Sequence, residues 1–189
     1  ISTVNMLGCH DGIPLLDLKG LLPEEEIQSL IERIVSRGGM VKNLHGQKNL
    51  YYQVNATYYS ALGESDEKML LARAIQMFMP GKPQVWYLDL FAGKNDHEAV
   101  RRAGESGHKE INRTNLSTDQ IAEDLKKDVV QKQLALIRMR NTHKAFSEGA
   151  EVAISGGESS LQIRWEYNSA FATLNVNFES GTYTIVESR

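Results

Sequence analysis

The chain has 189 residues, 41% of them hydrophobic, which is enough for one ordinary domain with a sizeable core or for part of a larger one. Its net charge of -3 and its pI near 6.0 provide no basic stripe of the kind that binds nucleic acid or a membrane surface. It contains no apolar run of spanning length, and its single cysteine, Cys9, fits a reducing compartment. We therefore expect a cytoplasmic protein without nucleic-acid or membrane partners.

The first predicted element is a short buried strand from Ser2 to Leu7, which is followed by His10 and Asp11. Parallel sheets and (β/α)₈ barrels keep their chemistry at this end of a strand. An imidazole and a carboxylate there can bind a hydroxyl-rich ligand, with Asp11 facing developing positive charge. The alternative is a turn with an Asx contact. Cys9 is interpreted as a small buried residue rather than a nucleophile, because the sequence places no activating base beside it.

The next segments alternate between helix and strand. Pro23 opens a helix whose apolar residues recur at helical spacing, and Ser65 caps a second, well-buried helix that extends to Met79. A second strand is predicted over residues 83–89. A strand, a helix and a strand in this order form the βα repeat of a parallel sheet.

Two long polar segments, residues 43–63 and 90–115, are predicted to be loops. Long loops inside compact domains are usually functional. Tyr51, Tyr52 and Gln53 in the first loop offer flat faces, donors and acceptors that suit a sugar. The alternative is a surface loop that its tyrosines hold in place.

The C-terminal third changes its periodicity. Ser117 and Gln120 form a capping box for a helical segment with a bend near Lys127-Asp128. From Glu151 onward apolar and polar residues alternate, with Gly156-Gly157 as a hairpin signal. This pattern predicts a small antiparallel sheet that begins after a boundary near residues 147–149.

Several motifs together resemble the sucrose phosphorylase group of the α-amylase superfamily. They are His10-Asp11, residues 52–63, Pro83-Gln84-Val85, residues 92–96 and Ile111-Asn112-Arg113. The resemblance covers Ile1 to about His143 and implies an α/β fold. In it, residues 1–147 are the last two βα units of a catalytic (β/α)₈ barrel, and residues 148–189 are a C-terminal antiparallel β domain. Ile1 is not an initiator Met and stands almost inside a strand, so we expect a fragment that lacks the first six barrel strands.

The resemblance implies a retaining glucosyl transfer to inorganic phosphate that needs no cofactor and no metal. Asp11 matches the family's transition-state stabiliser and His10 its sugar-binding neighbour, and an oxocarbenium-like transition state favours an ionised carboxylate there. Asn112-Arg113 resembles the glucose-binding arginine segment, where a fork of donors fixes sugar hydroxyls. Tyr52-Gln53 matches the mobile loop that exchanges the sugar acceptor for phosphate.

The acceptor loop departs from the sucrose phosphorylase pattern. Those enzymes carry an Asp two residues before the Tyr-Gln pair, where this chain has Leu50. The lead-in over residues 44–48 looks more like the glucosylglycerate phosphorylase branch, in which Lys48 and His45 would meet an acidic acceptor such as glycerate. Tyr51 is assigned to the same acceptor site. The donor is therefore expected to be glucosylglycerate or sucrose.

The family's nucleophile and acid/base lie in the part of the barrel that this chain lacks. We therefore expect the chain alone to be inactive and to self-associate through the open edges of its strands. Two other functions stay open at this point. One is an α-glucoside hydrolase, in which water replaces phosphate, and the other is a non-catalytic sugar-binding barrel.

Overall fold

A computed structural model of the chain describes residues 3–43 and 51–188. Its strands are β1 (Val4–Asn5), β2 (Ile13–Pro14), β3 (Met40–Asn43), β4 (Tyr51–Asn55), β5 (Lys82–Pro83), β6 (Glu151–Gly157), β7 (Ser160–Tyr167), β8 (Ala170–Asn177) and β9 (Thr182–Glu187). Its helices are α1 (Glu24–Ser36), α2 (Tyr58–Ala61), α3 (Asp66–Phe78), α4 (Tyr87–Leu90), α5 (His97–Ala103), α6 (Thr118–Asp124) and α7 (Asp128–Thr142). Short 3₁₀ segments cover Leu16–Leu18, Gly104–Asn112 and Lys144–Phe146. No helix among these residues is long and apolar enough to cross a membrane.

The chain divides into two compact units that each combine distant segments of sequence. The first unit contains Ile1–Met6, Asp66–Gln84 and Lys126–Arg189, and the second contains Leu7–Ser65 and Val85–Leu125. The division predicted from the sequence, at residues 147 and 148, stays a prediction.

In the first unit, α3 packs against α7 through a buried polar contact. Arg73 Nε donates to Gln133 Oε1 at 2.9 Å, and both side chains are fully buried. Gln76 Nε2 in turn donates to the backbone carbonyls of Asn5, at 3.1 Å, and of Gln84, at 2.9 Å. The two Gln76 hydrogen bonds hold the ends of strands β1 and β5, which pair in parallel. Parallel pairing is what a βα repeat predicts.

The predicted antiparallel sheet is present in the first unit as the meander β6-β7-β8-β9. Its buried face carries Ile163, Trp165 and Leu174, and Trp165 Nε1 donates to the carbonyl of Phe78 at 2.6 Å. The hairpin differs slightly from the prediction. Gly156 and Gly157 belong to β6, and the turn itself is formed by residues 158 and 159.

In the second unit, β2, β4 and β3 form a three-stranded antiparallel sheet under α1. The helix predicted after Pro23 is confirmed, with Pro23 at its N-cap. The buried face of α1 supplies Ile27, Ile31 and Ile34, which form a core cluster with Val54 of β4. This core fixes β4, and β4 carries part of the candidate site.

The loop predicted over residues 43–63 is wrong where the structure describes it. Residues 51–55 form β4, which pairs with β2 and β3 on its two sides. Thr57 then caps α2 by accepting a hydrogen bond from the backbone amide of Ser60 at 3.1 Å. The strand lacks the alternation of a half-exposed strand because the consecutive residues Gln53, Val54 and Asn55 are all buried, and such tertiary context overrides local pattern.

The second predicted strand and the second predicted loop also differ from the structure. Only residues 82 and 83 form a strand, while residues 87–90 form α4. The prediction failed because the periodicity of a short apolar run does not distinguish a strand from a buried helix. Within residues 90–115, α5 begins where the Asp96 carboxylate accepts from the amide of Ala99 at 2.8 Å. The predicted N-cap at Ser117 is present, since Ser117 Oγ accepts from the amide of Gln120 at 3.2 Å. Helices α6 and α7 are separate elements, and the bend near Lys127-Asp128 stays a prediction.

Candidate active site around Asp11

The backbone of Asp11 lies in a tight turn that is attached to β4. The amide of Gly12 donates to the carbonyl of Cys9 at 3.0 Å, and Asn55 Nδ2 donates to the carbonyl of Asp11 at 2.7 Å. Gly12 has a φ of 102°, and a Cβ atom there would collide with the carbonyl of Val54. Only glycine fits a position of this kind without strain, so the turn lies closer to β4 than a residue with a side chain would allow.

Cationic and imidazole groups surround the Asp11 carboxylate. The Lys109 ammonium and Arg113 Nη2 both contact Oδ1, the latter at 3.3 Å, and His10 Nε2 lies 3.3 Å from Oδ2. The hydrogen bond from Lys109 is the main reason why the pKa of Asp11 lies below its ordinary value, and the charges on Lys109, His10 and Arg113 act in the same direction. Burial opposes this shift without cancelling it. The carboxylate is therefore ionised at neutral pH.

Arg113 is itself fixed by contacts other than Asp11. Its Nε donates to the carbonyl of His10 at 3.0 Å, and its Nη1 lies 3.5 Å from Glu110 Oε1. The residues on either side of it are tied to α4 and to the residue before α4. Trp86 Nε1 donates to the carbonyl of Asn112 at 3.3 Å, and the Tyr87 hydroxyl donates to the carbonyl of Thr114 at 2.6 Å.

The structure brings together His10, Asp11 and Arg113, which the sequence predicts as site residues. Asn112 is close to them but buried, with 1% of its surface exposed, and its Nδ2 donates to the carbonyl of Cys9 at 2.6 Å. In this arrangement Asn112 holds the turn that carries Asp11. Its Oδ1 has no hydrogen-bond partner among the described residues.

The predicted acceptor residues are described only in part. Gln53 lies in β4, 4% exposed, and its buried Nε2 has no hydrogen-bond partner in the described part of the chain. Tyr51 and Tyr52 belong to the same strand, but their side chains lie outside the description, as do Lys48, His45 and Leu50 altogether.

Lys109 is the principal site residue that the sequence reasoning missed. It lies four residues before Arg113, and a second cation at that spacing from the motif arginine was the available signal. Trp86 was also missed as a site residue, although its ring lies 6.0 Å from that of His10, centroid to centroid. Over the described ranges, 3–43 and 51–188, no group of three or more His, Cys, Asp or Glu side chains could hold a metal ion.

No protein-family model matches this chain. The chain is 54% identical, over 98% of its length, to a sucrose 6(F)-phosphate phosphorylase of Ilumatobacter coccineus, and it covers 37% of that protein. The crystal structure of sucrose 6F-phosphate phosphorylase from Thermoanaerobacter thermosaccharolyticum matches the whole chain with a TM-score of 0.93 and 38% identity. This chain belongs to the sucrose phosphorylase group.

This membership confirms the resemblance and the α/β fold class with its C-terminal antiparallel sheet. The chain spans about two fifths of the length of these relatives, 37% of one and 38% of the other. The glucosylglycerate phosphorylase of Escherichia coli is 31% identical over 83% of the chain and is covered over 30% of its own length. These identities favour the sucrose 6(F)-phosphate relatives over the glucosylglycerate branch that the acceptor loop predicts.

Proposed function

We propose that this chain is the part of a retaining glucoside phosphorylase that carries its transition-state carboxylate. The reaction moves an α-glucosyl group from a donor to inorganic phosphate and yields glucose 1-phosphate. The observation that carries the proposal is the Asp11 carboxylate, ionised and attached through its backbone to β4, with His10 and Arg113 beside it. The donor is a glucoside such as sucrose or glucosylglycerate, and the relatives add sucrose 6(F)-phosphate as a third candidate.

In this proposal each site residue has a separate role. Asp11 faces the glucosyl ring and stabilises the positive charge of the oxocarbenium-like transition state. His10, whose side chain is 58% exposed, and the Arg113 guanidinium donate hydrogen bonds to glucosyl hydroxyls. Asn112 positions the turn through Cys9 rather than contacting the sugar. The nucleophile and the acid/base come from residues outside this chain.

The acceptor half of the proposal is supported by Gln53. Its buried Nε2 lacks a partner in the described part of the chain, and a buried donor of this kind costs free energy unless a ligand or water meets it. We assign Gln53 to the acceptor site, together with Tyr51 and Tyr52 of the same strand and Lys48, which the sequence places shortly before β4. An acceptor oxygen, from a sugar, glycerate or phosphate, would satisfy the Gln53 amide.

The test is a donor screen on the full-length protein with and without phosphate. Sucrose, sucrose 6(F)-phosphate and glucosylglycerate are each incubated with the protein, and glucose 1-phosphate and free glucose are measured. Phosphate-dependent glucose 1-phosphate supports the proposal. Free glucose at the same rate without phosphate would indicate an α-glucoside hydrolase, and binding without turnover would indicate a non-catalytic protein.

We also propose that the 189-residue chain self-associates when it is prepared alone. Val4 of β1 is 57% exposed and the adjacent Met6 is 43% exposed, and apolar side chains beside a two-stranded parallel sheet favour edge association. Sedimentation across a dilution series tests this, and a compact monomer at every concentration would contradict it. The cytoplasmic location and the absence of nucleic-acid and membrane partners stay predictions.

A further inference from the structure

Three groups contact the Asp11 carboxylate, and they differ in how firmly they are held. Arg113 is anchored to the carbonyl of His10 at 3.0 Å and to Glu110 at 3.5 Å. His10 has a second neighbour in the Trp86 ring, 6.0 Å away. The Lys109 ammonium has no partner other than Asp11 in the described part of the chain. Lysine carries a compact charge on a flexible four-carbon stem, so Lys109 is the contact that can leave.

The present contacts also conflict with the role proposed for Asp11. A carboxylate that stabilises developing positive charge must direct its negative charge at the sugar. Here two cations already share Oδ1, so part of that charge is neutralised before any sugar arrives. The Arg113 contact, at 3.3 Å, can persist because its other nitrogens hold it in place. The Lys109 contact competes directly with the ring.

We propose that Lys109 is a displaceable counter-ion of Asp11, which holds the carboxylate in place while the sugar site is empty and releases it when the donor binds. This inference rests on the proposed function. It makes Lys109 a positioning residue of the empty site rather than a catalytic residue. The charged and titratable groups that face Asp11 in the described ranges are Lys109, Arg113 and His10, with Glu110 behind Arg113 and the Cys9 thiol beside the Asp11 amide.

Displacement makes a specific prediction for pH profiles, because kcat/KM reports ionisations of the free enzyme and kcat those of the substrate complex. In Lys109→Met the Asp11 carboxylate loses a neighbouring cation in the free enzyme. In the substrate complex nothing changes, because there Lys109 has already moved away. The acidic limb of kcat/KM therefore moves to higher pH, while the acidic limb of kcat stays where it is. At pH values above that limb, the donor in this variant no longer competes with the Lys109 ammonium for Asp11, so KM falls about two- to five-fold.

The experiment measures both profiles in the full-length protein for the unmodified chain, Lys109→Met, Lys109→Arg and the control Lys94→Met. Lys94 is a suitable control because it forms an exposed ion pair with Glu64 at 2.6 Å. We expect Lys109→Arg to restore the unmodified kcat/KM profile and Lys94→Met to leave both profiles unchanged. A raised or unchanged KM in Lys109→Met, or equal movement of both limbs, would overturn the inference.

The outcome separates this inference from the proposed function. If the unmodified protein forms no glucose 1-phosphate from any of the three donors, the proposed function fails and the role of Lys109 fails with it. If the unmodified protein is active but Lys109→Met behaves like Lys94→Met, the inference alone fails. If Lys109→Met raises KM for every donor, Lys109 is part of the donor site.

Discussion

Replacing Asp11 with asparagine removes one negative charge from the candidate site with little change in shape. If the glucosyl ring lies about 4 Å from the carboxylate and the effective dielectric constant is about 20, the charge interaction is worth about 4 kcal/mol. That corresponds to about a thousandfold in rate. Because Arg113 stays beside the same oxygen, part of the carboxylate charge is neutralised and the thousandfold loss is an upper bound.

The loss should fall on kcat and leave KM within a few-fold, because the charge acts mainly in the transition state. The assay is steady-state phosphorolysis by the full-length protein, with glucose 1-phosphate as the product measured. Thermal unfolding of Asp11→Asn serves as the control, since the substitution also removes the ion pair with Lys109. A folded Asp11→Asn protein with near-normal kcat would refute the role of Asp11.

Three further predictions concern the neighbours of Asp11 and its ionisation. Arg113→Ala should lower kcat/KM about 10- to 100-fold for every glucosyl donor, because charged hydrogen bonds to the shared sugar are lost, and an effect on acceptor choice alone would contradict this. Gln53→Leu should instead change the ratio of rates with different acceptors while donor KM values hold, as competition assays would show. The lowered pKa of Asp11 means that its ion pairs stabilise the fold above the ordinary carboxyl value of 3.8, and this contribution disappears as pH falls through the lower folded-state pKa. The melting-temperature difference between the unmodified protein and Asp11→Asn should therefore shrink in strong acid, and it should be small throughout because the Asp11 side chain is 39% exposed.

The sequence predicts those features whose cause is local. The helix after Pro23, the Ser117 cap and the alternating C-terminal strands each follow from the residues that form them. Part of the site could be predicted because His10-Asp11 and Asn112-Arg113 are motif residues, whereas Lys109 and Trp86 belong to neither motif. The structure brings Asp11 and Arg113 within 3.3 Å of each other across 102 residues of sequence.

The features that the sequence did not predict depend on partners that are distant in the chain. Strand β4 is recognisable once β2 and β3 pair with it on both sides, which residues 51–55 alone do not reveal. Asn55 supports Asp11 across 44 residues and Lys109 reaches it across 98. Neither contact produces a periodic pattern of residues in the sequence. The support of a site is therefore harder to predict from sequence than the residues at its centre.

Substitution of Gly12 tests whether the close approach of the turn to β4 matters to the site. Gly12 and Gly20 both have positive φ, 102° and 86°, so alanine is strained at each, by about 1 to 2 kcal/mol. A Cβ atom at Gly20 meets nothing within 4 Å, whereas one at Gly12 meets the backbone of Val54 and lies 3.0 Å from Asn55 Cα.

Gly20→Ala therefore measures backbone strain alone, and Gly12→Ala adds a collision with a strand that cannot give way easily. Forced overpacking costs about 1 to 3 kcal/mol more, and urea unfolding of the two variants should show that difference. Relief of the collision must move the turn away from β4, which lengthens the 2.7 Å bond from Asn55 to the Asp11 carbonyl. Gly12→Ala should then lose kcat as well as stability, while Gly20→Ala loses stability alone. Equal losses of stability in the two variants would mean that β4 does not hold the turn. Other contacts would then have to hold Asp11 in place.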